Sequence, residues 1–159
     1  MSPKHADISL TVERLWQFSL QYYSMRGVKD ACLNLQNHFK GNVNLLLLLK
    51  WLDDQQVCFK DQDWLKVEEC LGHSESLLHS YRDIRRRLKS HVPDALYRES
   101  LQFELQLERC QQSDLVDCIN SLQLETNLGS PLTLRYCRQL GAEHLYPAFA
   151  EPIDNTANM

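Results

Sequence analysis

Glycine and proline are scarce, five of each in 159 residues. A many-stranded β fold draws heavily on turn-forming residues, so this shortage favours helices. No apolar run is long enough to cross a membrane. The longest, Val43 to Leu52, is interrupted by Asn44 and Lys50 and stops at Asp53-Asp54, short of the roughly 20 residues a span needs. Residues 1–11 hold no apolar segment of the signal-peptide kind, and the chain is expected to be cytoplasmic. The six cysteines (Cys32, Cys58, Cys70, Cys110, Cys118, Cys137) follow no framework spacing, which points to reduced, mostly buried thiols.

Chemical signatures are missing as well. There is no Cys-x-x-Cys, no second zinc half-site and no pair of Glu-x-x-His motifs of the di-iron kind. There is no Gly-x-Ser-x-Gly, phosphate-cradling glycine loop or dinucleotide fingerprint. The best local ligand pairs are Cys70 with His73 and Glu75 with His79; Glu69 and His73 also stand four apart. These read more simply as ordinary helix-surface neighbours. Cys32 and Cys118 fall on apolar faces, where a thiol is usually inert. The sequence therefore nominates no catalytic residue, no metal site and no cofactor.

What is present is an ordinary globular composition, 43% apolar and 24% charged, sized for one domain over residues 1–151 with a disordered tail at 152–159. Its most informative stretch is Leu45 to Leu49, five consecutive leucines. At about 100° per residue they encircle a helix, which must then be covered on every side. Lys50 is expected to reach solvent beside Asp53 and Asp54.

The expected architecture is all-α, about seven helices around this central one. The first runs from Val12 to Ser24 with Thr11 as cap, and the second from Val28 to Lys40 with Gly41 as the C-terminal glycine. Asn42 caps the leucine helix, which extends to about Gln56. Asp61 caps a helix to Leu71. Gly72 and Ser74 then mark a break or only a weak spot before a stretch to Lys89 whose inward stripe is Leu77, Tyr81, Ile84 and Leu88. Leu101 to Glu108 alternates apolar and polar residues like a strand, but its residues are strong helix formers; a helix wedged between two layers is expected. Ser113 starts a helix to Glu125, and Ser130-Pro131 starts a short last one ending at Gly141.

The motifs Leu15-Trp16-x-Phe18, Gly27-Val28-x-x-Ala31-Cys32-Leu33-x-Leu35-Gln36, Val43-Asn44-Leu45-Leu46-Leu47 and Trp51-Leu52, with the later Arg82-x-x-Arg85-Arg86-x-Leu88-Lys89 and Leu96-Tyr97, resemble a family of short bacterial proteins carrying a domain of unknown function. The likeness spans about Leu10 to Glu125. It departs where the family pattern has proline before the first arginine, since Tyr81 stands there. The resemblance implies a compact protein and no catalytic residue to carry over.

Net charge is −4, which argues against a generic nucleic-acid binder, but the charge is uneven. Residues 79–91 set five Lys/Arg against one Asp, whereas residues 92–159 set four against ten Asp/Glu. Arg82, Arg86 and Lys89 are spaced i, i+4, i+7, and Arg85 stands four before Lys89. Arginine suits bidentate recognition of carboxylate or phosphate. The leading functional expectation is thus a non-enzymatic interaction or regulatory module. It would dock an acidic protein partner on Arg82, Arg85, Arg86 and Lys89, with nucleic acid a lesser candidate. The plainer reading is a solvated face paired with Glu99, Glu104 or Glu108. Two other classes stay open: an enzyme or small-ligand binder with an interhelical pocket, and an RNA- or ribosome-associated factor. Oligomeric state is left open.

Overall fold

The first and third helices begin at a side-chain cap, and the second begins at a glycine. In the computed structural model, which describes residues 5–6 and 9–150, α1 (Val12–Tyr23) starts at Thr11, whose side chain accepts from the Arg14 amide. α2 (Val28–Phe39) follows Gly27, held at φ 88°. α3 (Val43–Asp54) starts at Asn42, whose side chain accepts from the Leu45 amide at 2.8 Å. Between α2 and α3 the left-handed residue is Lys40, φ 58°, and not Gly41. Gly41 is needed for another reason: a Cβ there would stand 2.5 Å from Leu35 Cγ.

Every residue of α3 from Asn44 to Leu52 is buried, including Lys50. The cover comes from α1, α2, α5 (Asp94–Ser121) and α6 (Leu132–Gln139). Burying the leucine side chains is worth about 2 kcal/mol each, which makes α3 the axis of the core. Lys50 does not reach solvent as expected. It lies over the Tyr22 ring at 5.7 Å and pairs with Asp54 at 3.6 Å.

The sheet is small. β1 (His5–Ala6) and β2 (Val57–Cys58) flank β3 (Leu124–Thr126), all antiparallel, with Ala6 opposite Leu124 and Cys58 opposite Glu125. β3 takes the residues expected to end a helix.

α4 (Trp64–Leu88) and α5 form a long helical hairpin. Gly72 and Ser74 do not interrupt α4, and Ser113 does not interrupt α5. Among the described residues there are seven α-helices, α7 (Tyr146–Ala150) being the last, but the count agrees with expectation through two fusions and one addition. The expected inward stripe of α4 is also corrected. Leu77, Ile84 and Leu88 are exposed, while Leu78 is buried and Tyr81, Arg82 and Arg85 are half-buried. Likewise Phe103 and Leu105 are exposed, so 101–108 is not wedged between layers. From residue 79 to residue 110 nothing is fully buried, because this outer part of the hairpin is only two helices thick.

α6 is capped from outside. Pro131 precedes it and offers no side-chain bond, and the Asp53 carboxylate accepts from the Leu132 and Thr133 amides at 2.7 and 3.1 Å and from Thr133 Oγ1 at 2.7 Å. The expected disordered tail, 152–159, lies outside the described residues. Among those described, no helix is long and apolar enough to cross a membrane.

Candidate functional site

Asn42 is a cap first. Its Oδ1 is spent on the Leu45 amide, which leaves its amide NH2 to reach sideways, to Glu75 of α4 and to Gln111 Oε1 of α5 at 3.2 Å. Two residues on, Asn44 interrupts the apolar run and aims its NH2 at the same Gln111 oxygen, 2.8 Å away, and at the Glu108 carbonyl. Gln111 returns its own NH2 to Ser74 Oγ and Glu75 Oε2, both at 3.0 Å. Gln112 donates to Ser19 Oγ at 3.0 Å and to Asn44 Oδ1 at 3.2 Å. Four carboxamides, a carboxylate and two hydroxyls thus form one network joining α1, α3, α4 and α5. Left unpaired, each buried amide would cost about 1–3 kcal/mol. Among the described residues, one buried side-chain polar atom has no partner, Gln112 Oε1.

This network floors a cavity of about 510 Å³, open between α1, α2 and the hairpin. Trp16, Leu20, Leu33 and Leu47 are among its apolar lining, beside Lys29, Gln36 and Asn37 of α2. The lining also includes two ion pairs that bridge α4 and α5. Arg82 Nη2 meets Glu108 Oε1 at 3.1 Å, and Arg85 grips Glu104 with Nε at 2.8 Å and Nη2 at 3.3 Å. Burial raises the Glu108 carboxyl above the usual range, against the pull of Arg82, while the bond to Glu104 raises the Arg85 guanidinium.

The four residues singled out from the sequence therefore do not form one open basic face. Arg82, Arg85 and Arg86 line the cavity, the first two already engaged by Glu108 and Glu104. Arg86 is exposed, and Lys89 stands away from the cavity with Nζ 6.0 Å from the Tyr97 ring centre. Gln111 and Gln112 were not foreseen as site residues, and Glu75 was weighed only as a metal-ligand pair with His79 and set aside. Asn44, a polar residue inside a leucine run, was the available signal for them.

The lining holds neither cysteine nor histidine. Burial pushes the Cys32 thiol up to about 12 and Cys137 to about 11, so these are core thiols and poor nucleophiles at neutral pH. Among the described residues, no three His, Cys, Asp or Glu side chains gather to hold a metal ion.

A family model described as a protein of unknown function, DUF2390, matches residues 14–115. The chain belongs to the DUF2390 family. Every residue lining the cavity, Trp16 through Gln112, falls inside the DUF2390 match, whereas α6 and α7 fall outside it. No curated protein and no solved structure matches the chain.

Proposed function

We propose that this protein is a non-enzymatic binding module that holds a small polar ligand in the interhelical cavity. The observation that carries this reading is a space of ligand size, about 510 Å³, lined by a network of polar groups together with apolar side chains such as Leu20, Leu33 and Leu47. The described lining holds no Cys or His, which supports binding over thiol or imidazole chemistry. Native mass spectrometry of the full chain, purified without denaturation, tests it. A small molecule retained by the natural protein and lost from Leu105→Trp, which fills the rim from an exposed lining position, is the expected result. An empty natural protein whose melting point does not respond to a metabolite extract would sink the reading.

A second reading keeps the acidic protein partner. Arg86, Arg87 and Lys89 are exposed and make no ion pair among the described residues, so they remain available to carboxylates. If Arg86→Glu combined with Lys89→Glu leaves every co-purifying protein in place, that partner does not use this face.

A further inference from the structure

On the floor of the cavity the side-chain donors are all spent, and two acceptors are left without a donor. Asn42, Asn44, Gln111 and Gln112 each carry two side-chain N–H groups, and each uses its NH2 on two protein acceptors. The hydroxyls are spent too: Ser19 donates to the Leu15 carbonyl at 2.7 Å and Ser74 to that of Leu71 at 3.5 Å. No side-chain donor of these six residues is left for an incoming molecule.

The acceptors do not balance. Both bonds to Glu75, from Asn42 and Gln111, fall on Oε2, and Oε1 receives none among the described residues. No Lys, Arg or His forms an ion pair with Glu75 among the described residues, although Arg82 and Arg85 follow it on the same helix. Those arginines are held by Glu108 and Glu104, while Lys29 and Arg86, which also line the cavity, form no ion pair among the described residues and none with Glu75. Gln112 Oε1 adds a second acceptor with no donor. The start of α3 gives Glu75 only the partial positive charge of a helix N-terminus. A half-buried carboxylate held on one oxygen by neutral amides keeps the other free to accept from a cation.

We infer that the cavity takes a ligand with an ammonium or guanidinium head on an apolar stem, the head binding Glu75 Oε1. This rests on the cavity being the binding site and names the chemistry of what it binds. The stem lies along Leu20, Leu33 and Leu47, and the head supplies the donors that the floor lacks.

Three probes that share a stem and differ in head test this: hexylamine, hexanol and hexanoate. NMR titration of the full chain follows the side-chain NH2 signals of Asn42 and Gln111, the two groups bonded to Glu75. Hexylamine is expected to shift them saturably and at lower concentration than the other two. Glu75→Gln is expected to weaken hexylamine about tenfold or more, the scale of a charge-assisted hydrogen bond, and to leave hexanol unchanged. Equal binding of hexylamine and hexanol, or a preference for hexanoate at the start of α3, overturns the cationic head and leaves the cavity reading standing. If no probe moves the signals and the natural protein is also empty by mass spectrometry, both fail. The probe ranking is read in the natural protein, so it decides the matter even if Glu75→Gln does not fold.

Discussion

Replacing Asp53 by alanine removes three hydrogen bonds at once: from the Leu132 amide at 2.7 Å, the Thr133 amide at 3.1 Å and Thr133 Oγ1 at 2.7 Å. Leu132 and Thr133 are both sealed from solvent, at 0% and 1% exposure, so water cannot take over. Losing a cap costs about 1–2 kcal/mol, and stranding buried donors adds about 1–3 kcal/mol. Burial raises the Asp53 carboxyl in spite of its three bonds, so desolvation takes back part of the gain. A net loss of about 3 kcal/mol is expected for Asp53→Ala, which lowers the melting temperature by about 6–12 °C in a chain of this size. Asp53→Asn keeps one oxygen acceptor and removes the desolvated charge, so it should lose about half as much. Urea unfolding followed by circular dichroism measures both. A double-mutant cycle with Thr133→Val should show a coupling of about 1 kcal/mol or more. Equal losses for the alanine and asparagine variants, or a loss below about 1 kcal/mol for alanine, would refute the claim that Asp53 holds α6 on the core.

Gly72 sits inside α4 with open space where a Cβ would be, so Gly72→Ala should stabilise the protein by about 1 kcal/mol in the same urea experiment; destabilisation would mean that the helix is broken there. Alkali should unfold the protein early. Burial holds the Cys32 and Cys137 thiols at about 12 and about 11 in the folded state, against 9.0 for a free thiol, so the unfolded chain releases protons first and stability falls as pH rises above 9.0. At pH 10 these two thiols together should cost about 3 kcal/mol relative to pH 7, and Cys32→Ala with Cys137→Ala should flatten that slope.

The helical class, the burial of α3 and the caps Thr11 and Asn42 were legible because they depend on neighbours within a turn or two. Lys50 was misjudged because Tyr22 and Asp54 give it a place under cover, and the pairing with Tyr22 is tertiary. The stripe of α4 was misjudged for a related reason. The outer hairpin has no second apolar layer to receive Leu77, Ile84 and Leu88, so it closes around Tyr81, Arg82 and Arg85, which find bonding partners on α5. The acidic residues that meet Arg85 and Arg82, Glu104 and Glu108, were among those named from charge alone. The cavity floor was not legible. Asn44 and Gln111 are 67 residues apart, and no local pattern marks a carboxamide as the partner of another.

The total enclosure of α3 bears on where this chain can be cut. The DUF2390 match ends at residue 115, yet one flank of the leucine helix is roofed by Leu132, Tyr136 and Cys137, which lie beyond it. A fragment trimmed to residues 14–115 would lift that roof, leave Asp53 with nothing to cap, and present bare leucines to water and to other copies of itself. The stretch that the family model matches is therefore shorter than the stretch that encloses α3, and a fragment that keeps α3 covered reaches at least through α6.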